Sequence, residues 1–257
     1  MKLSVWAGKA QLRDPERWVG IIQQAGCERV DLVVNDLSRW RVRQNGKVTN
    51  GWYKTSKHWQ TYDESKLEAF AKAAVNAGLE VHTLFWAVPT PKGLTSAACW
   101  LHTFAETVGV SGHVLDAEEP ITQSSYVDYG GNPDEAAEHL FAMIREPLGV
   151  THIGYAPVHT VQPFVSRAAY AIPQTYLTKT SGLTEDSVPR LLARSERKLG
   201  AREMVGSFAM YRQPEPDNIK ATLCALKACG VKTAIGWHAS SLKRYGKALR
   251  AANESDA

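Results

Sequence analysis

Residues 80–119 read EVHTLFWAVPTPKGLTSAACWLHTFAETVGVSGHVLDAEE, and this stretch decides the fold. It opens on Glu80–Ala87, a β-branched and aromatic run that predicts a strand. A helix is expected over about Thr95–Val108, and a second strand over Gly112–Glu119. A strand, a helical crossover and another strand imply parallel pairing, because the helix carries the chain back to the starting edge.

The same unit recurs on both sides. Upstream, Leu3–Ala7 is a strand, and Asp14-Pro15 opens a helix with Trp18, Ile21, Ile22 and Ala25 on its apolar stripe and Gly26 as its stop. Arg29–Asn35 reads as a buried strand, and Asp63-Glu64-Ser65 starts a helix with Leu67, Phe70, Ala71, Ala74 and Val75 on one face and Gly78 at its end. Downstream, strands are expected at Val150–Ala156, Ala169–Tyr176, Arg202–Tyr211 and Lys232–His238. Helices are expected at Pro133–Ile144, Val161–Ala168, Thr184–Leu199, Pro216–Cys229 and Ser240–Ala252. Eight strand–helix units in 257 residues match a single-domain α/β (β/α)8 TIM barrel. That domain spans residues 1–252 and includes an aromatic, basic insertion at 36–62; residues 253–257 read as a flexible tail. An open doubly wound sheet is the alternative, and it would carry a glycine-rich phosphate turn after its first strand. The turn here is Ala7-Gly8-Lys9-Ala10.

Composition excludes several classes. At 44% hydrophobic residues the chain is too apolar for disorder. No apolar run is long enough for a membrane-spanning helix, so no membrane insertion is expected. The opening MKLSVWAGKAQLRD turns polar too early for a signal peptide, which points to cytoplasmic synthesis. Neither GxGxxG nor GxxxxGK[ST] is present, and the four cysteines form no CxxC pair. His82, His113, His152 and His159 are scattered, without HxH or HExxH spacing, so neither cofactor nor metal is expected. Cys27, Cys99 and Cys224 lie in apolar helical surroundings and read as buried, reduced thiols.

Barrel active sites lie at the C-terminal mouth of the strands. In strand order, this mouth receives Trp6, then Asn35 and Asp36, then Trp86. Strand four delivers Asp116, Glu118 and Glu119, strand five Tyr155 with His159 beyond, and strand six Gln174 and Tyr176. Strand seven brings Ser207 and Tyr211, and strand eight Trp237 and His238. Side chains alternate along a strand, so Asp116 and Glu118 face the same side. Two neighbouring acids in a sheltered site raise the pKa of at least one of them. The expectation is that Glu118 holds a proton to give to a leaving oxygen, while Asp116 stays ionised and stabilises positive charge. Glu119 points away unless the chain turns at Pro120. Together with Trp86, Tyr155, Gln174, Tyr176, Tyr211, Trp237 and His238 it makes up the set of substrate contacts. Two alternatives stand: the acids are solvated or pair with basic side chains, or Asp116, Glu118 and His238 bind a metal.

The insertion Asp36–Tyr62, DLSRWRVRQNGKVTNGWYKTSKHWQTY, holds Trp40, Trp52, Tyr53, Trp59 and Tyr62 and six Lys/Arg against one acid. Asn45-Gly46 reads as a hairpin turn. Flat rings bind sugar faces and cations bind anionic groups, so Trp40, Trp52 and Trp59 join the substrate-binding set; a lid that packs its rings on the barrel is the other use. A basic aromatic surface also suits single-stranded nucleic acid, but no RNP-type, zinc or helix-turn-helix signature supports that partner. The chain's net charge is +4, and the insertion's excess alone exceeds it.

The segment Val114-Leu115-Asp116-Ala117-Glu118 resembles the LDxE motif of glycoside hydrolase family 25 lysozymes, the bacterial and phage muramidases that cleave peptidoglycan. It is more distantly similar to barrel glycosidases with a DxE on strand four, which use the substrate's 2-acetamido group as nucleophile. The resemblance implies Glu118 as general acid/base and Asp116 as its assisting carboxylate. It departs from the lysozymes at strand one, Leu3-Ser4-Val5-Trp6-Ala7, which carries no acid, and at strand eight, where Trp237-His238 stands in place of an Asp. The resulting expectation is a lysozyme- or endolysin-like hydrolase of an N-acetylhexosamine polymer, peptidoglycan, acting on the cell wall after release. Its rivals are a metal-dependent barrel isomerase or lyase and a non-catalytic carbohydrate- or wall-binding barrel.

Overall fold

In chain order the strands are β1 (Lys2–Ala7), β2 (Arg29–Val33), a short pair β3 (Val42–Gln44) and β4 (Lys47–Thr49), β5 (Glu80–Phe85), β6 (Gly112–Asp116), β7 (Leu148–Ile153), β8 (Tyr170–Gln174), β9 (Gly206–Ala209) and β10 (Thr233–Trp237). The helices are α1 (Pro15–Gln24), α2 (Glu64–Asn76), α3 (Pro91–Val108), α4 (Glu119–Thr122), α5 (Pro133–Met143), α6 (Val158–Val165), α7 (Ser187–Leu199), α8 (Pro216–Ala228) and α9 (Leu242–Glu254). The structure is a computed structural model that describes residues 1–35, 42–44, 47–49, 59, 61–122, 124–177, 183–210 and 216–254. At 42–44, 47–49, 119 and 120 only the backbone is described.

All strands but β3 and β4 form one parallel sheet in the order β8-β7-β6-β5-β2-β1-β10-β9. The sheet closes between β8 and β9 into the expected (β/α)8 barrel, and the open-sheet alternative is excluded. Ala171 pairs with Met204, its N–H donating to Glu203 O at 2.8 Å and its carbonyl accepting from Val205 N at 2.9 Å. A parallel strand alternates the neighbour to which successive residues turn their backbone groups, so Pro173 should donate toward β9 next, and proline has no N–H. Ser207 fills the gap: its hydroxyl donates to Pro173 O at 2.8 Å and accepts from Thr175 N at 3.1 Å. Ser207, expected at the mouth, therefore stitches the wall.

The lower barrel interior is polar. Arg29 on β2 donates to Asp31 and, across the barrel, to Tyr170 Oη on β8 at 2.8 Å. Asp31 also accepts from Ser4 on β1, and His82 on β5 bonds the same Tyr170 hydroxyl at 2.8 Å. Gly149 makes room for this crossing, since a Cβ there would overlap the Tyr170 ring. Burial pushes the Tyr170 hydroxyl pKa up and that of the His82 imidazole down.

Side-chain caps set three of the helix starts. Asp63 accepts from Lys66 N, Thr90 from Gly93 N and Asn132 from Asp134 N, and Pro91 and Pro133 follow their caps. The Thr90 cap starts α3 at Pro91, four residues before the sequence expectation, and Gly109 ends it at φ 76°. Asp14 makes no side-chain cap bond, and a 3-10 turn at Gln11–Arg13 precedes α1. Val75, expected on the buried face of α2, is exposed. The predicted hairpin flanks pair antiparallel, Arg43 opposite Val48, while Asn45 and Gly46 lie outside the described residues. α9 includes Asn253 and Glu254 from the segment read as a tail. All four cysteines are free thiols; Cys27 is buried as expected, but Cys99 is exposed and Cys224 half-exposed, because they fall on the outward sides of α3 and α8. Among the described residues no helix is long and apolar enough to cross a membrane.

Candidate active site at the barrel mouth

Asp116 is the last residue of β6, and Glu118 stands two residues further up. Asp116 is 1% exposed, whereas Glu118 is half-buried. Burial first, and the neighbouring Glu118 charge second, hold the Asp116 pKa well above the usual carboxylate range. Its Oδ1 has no hydrogen-bond partner among the described residues. Such an orphan is rare in a buried carboxyl and marks a place where a donor fits. The shift favours the neutral form of Asp116, against the expectation that it is the acid that stays ionised. Alternation along a strand shows which acids share a side, not which lies deeper.

Gln174, at the end of β8, donates from Nε2 to Glu118 Oε1 at 2.6 Å. This bond joins non-adjacent strands across the mouth. Tyr176, two residues on, is half-buried, and Tyr155, beyond β7, is 68% exposed at the rim. Trp237 ends β10, and its ring meets Trp6 of β1 edge-on with centroids 3.9 Å apart. The Trp237–His238 peptide is cis. Ser240 N donates to His238 Nδ1 at 3.3 Å, so that nitrogen is unprotonated and the proton of the neutral ring sits on Nε2. His238 Nε2 faces Gly8, where a Cβ would come within 3.2 Å. Burial lowers the His238 pKa, favouring that neutral form.

Trp86 is buried, 8% exposed, and its backbone is clamped by Asn35, whose Nδ2 donates to Trp86 O at 2.9 Å and whose Oδ1 accepts from Trp86 N at 3.0 Å. Trp59 packs on the helix side of the wall, 6.0 Å from the Phe85 ring and 5.9 Å from Trp100, and is not brought beside the acids. Glu119 opens α4, and its side chain lies outside the described residues, as do Trp40, Trp52 and Tyr211. Two contributors escaped sequence reasoning. Gln11 is fully buried and accepts from Gly8 N at 2.9 Å through Oε1, which leaves its Nε2 unpartnered among the described residues. Asn35 was placed at the mouth, but its clamp on Trp86 was not foreseen. A lone amide near a strand end carries no pattern that singles it out. Among the described residues no group of three His, Cys, Asp or Glu side chains is placed to hold a metal ion.

No family model and no curated protein matches the chain. Solved structures do. A GH18 chitinase from Pseudoalteromonas aurantia superposes with a TM-score of 0.65 at 11% identity, over 99% of both chains. A GH113 β-1,4-mannanase does so at 0.66 and 10% identity, over 100% of both. Tryptophan synthase from M. tuberculosis follows at 0.55 and 10% identity, over 98% of this chain and 91% of the other. This chain shares their barrel fold. At such identities the likeness carries the fold alone, and a synthase stands among the glycosidases, so function has to be argued from the site.

Proposed function

We propose that this chain is a glycoside hydrolase of an N-acetylhexosamine polymer, with peptidoglycan as its substrate and a muramidase-like cleavage. The observation that carries the reading is the acid pair itself: a buried Asp116 with an orphan Oδ1, its pKa raised by burial, beside a Glu118 held by Gln174. The barrel fold, shared with a chitinase and a mannanase, is compatible with it.

The pair is suited to share one proton, because two like charges at close quarters do not both ionise readily. Burial favours Asp116 as its holder. A substrate acetamido N–H that donates to Asp116 Oδ1 favours the ionised form of Asp116 and passes the proton to Glu118. Glu118 then protonates the glycosidic oxygen as the bond to C1 breaks, and the acetamido carbonyl oxygen closes on C1. The resulting oxazolinium-like ion is balanced by the Asp116 carboxylate. Water attacks C1 in the second half, giving its proton to Glu118 and restoring the acetamido group. This differs from the usual scheme in which a second carboxylate is the nucleophile. Tyr155, Tyr176, Trp86, Trp237 and His238 would bind the sugar, while Gln174 orients the Glu118 carboxyl. By its sequence, the basic aromatic 36–62 segment favours an anionic glycan matrix, met after release from the cell.

The test is reducing-end release from purified peptidoglycan and from chitin by the full chain and by Glu118→Gln. Release from peptidoglycan that falls at least about 100-fold in the variant supports the reading. Equal release by the variant, or none from either glycan, overturns it; release from chitin alone moves the substrate and keeps the chemistry.

A further inference from the structure

A second feature lies on the helix layer, away from the mouth. α9 reads LKRYGKALRAANE. Its inner face, Leu242, Tyr245, Gly246, Leu249 and Ala252, is buried, while Lys243, Arg244, Lys247 and Arg250 are exposed. α1 and α9 approach closely, since a Cβ at Gly246 would lie 3.3 Å from the Ala25 Cβ. The long cationic side chains therefore stand as a wall over a narrow floor that contains Ile21, Ala25 and Gly246, and enclose a groove of about 560 Å3.

Four cations and no carboxylate line this groove. Arg250 is shared with Glu254 at 2.7 Å. Among the described residues neither Arg244 nor Lys247 is ion-paired. At about 1.5 Å rise per residue, Lys243, Lys247 and Arg250 form a row about 10 Å long. On a chain of only +4 this concentrates positive charge in one track. A row of cations of which, among the described residues, only Arg250 has a carboxylate partner calls for a partner with repeated negative charges.

The groove's other properties narrow the partner. Nucleic acid is held by stacking bases on free aromatic faces. Here Trp18 is half-buried and does not line the groove, and Tyr245 is buried, so the groove presents no free ring for stacking. The aliphatic floor, built on small residues, offers little to sugar hydroxyls and suits a thin, ring-free linker between charges. We propose that the α1–α9 groove binds a linear alditol-phosphate polymer, with its phosphates on Lys243, Lys247 and Arg244 and its carbon linkers on Ile21 and Ala25. The site is separate from the acid pair and does not depend on the chemistry assigned there.

The experiment titrates the full chain with poly(glycerol phosphate) between about 50 and 200 mM salt, the range over which phosphate contacts lose affinity steeply. Single-stranded DNA, a polyuronate and anionic phospholipid vesicles serve as comparators. The expected result is saturable binding to poly(glycerol phosphate), tighter than to any comparator. It should weaken at least tenfold in Lys243→Glu/Lys247→Glu, with a salt slope lower by about 0.7 per lost phosphate contact. Lys243→Gln/Lys247→Gln should show a smaller loss in the same direction, with an unchanged melting temperature in both variants. Unchanged affinity in folded variants overturns the proposal, as does equal or tighter binding to DNA, polyuronate or vesicles.

Discussion

Gln174 Nε2 donates to Glu118 Oε1 at 2.6 Å, tying the end of β8 to the residue just above β6 across the barrel mouth. The amide fixes where the Glu118 carboxyl points, which is the first requirement of a general acid. Gln174→Leu should lower kcat by about 10- to 100-fold, the size of losing a hydrogen bond to a charged group. KM should change much less, because the bond is to the enzyme's own carboxyl. Steady-state kinetics on a soluble glycan would separate the two; a pure KM effect would make Gln174 a sugar contact instead.

Asp116 makes a pH-dependent prediction. Its folded-state pKa is raised, so over the interval above the unfolded value near 3.9 the folded chain holds one more proton than the unfolded chain. Stability then falls as pH rises through that interval and levels off above the folded pKa. Asp116→Asn removes the penalty and mimics the neutral acid. The variant's melting temperature should exceed that of the parent at pH 7, with the gap closing toward pH 4, while catalysis is lost. A gap independent of pH would place the Asp116 proton elsewhere.

The Arg29–Asp31 pair is a stability element. Arg29→Met leaves Asp31 buried without its cation, which typically costs about 3–5 kcal/mol. Arg29→Met/Asp31→Leu should recover much of that loss, because the uncompensated charge is gone. Urea unfolding of parent, single and double variants tests this through the midpoint. A double variant no better than the single would point to the Tyr170 contact instead.

Ser207 serves closure of the barrel. Ser207→Ala strips the donor from Pro173 O and the acceptor from Thr175 N, at a cost of about 1–3 kcal/mol. Hydrogen exchange should show the Thr175 amide losing protection while the other strand amides of β6 and β7 keep theirs. Uniform loss over the sheet would mean that the whole barrel, not its seam, depends on the hydroxyl.

Thiol reactivity should divide the cysteines. Cys99 and Cys229 are exposed, whereas burial pushes the Cys27 thiol up to about 12. A thiolate-selective reagent at pH 8 should modify Cys99 and Cys229 in the folded chain and reach Cys27 only on unfolding. Mass mapping of the labelled peptides checks the order, and early labelling of Cys27 would contradict its burial.

The legible part of this protein was periodic. Strand–helix alternation, the helix start at Asp63 and the proline at 133 follow from neighbours a few residues apart, and they were enough for the barrel. The same local rule placed Asp116 and Glu118 on one side. It misjudged Cys99 and Val75, since a helix's exposed side depends on what packs beside it. It also spread tryptophans around the mouth, whereas Trp59 lies against Phe85 and Trp100 on the helix side.

What the sequence determined by itself is therefore the order of elements and the facing of the acid pair, because alternation along a strand is a property of the backbone. What only the tertiary structure decided is which acid is buried and which partner each group meets. Gln174 lies 56 residues from Glu118, and Tyr170 lies 141 from Arg29. Those pairs form only when the sheet curls far enough to bring non-adjacent strands face to face, and the same tertiary packing buries Asp116 and leaves Glu118 half-buried at the rim.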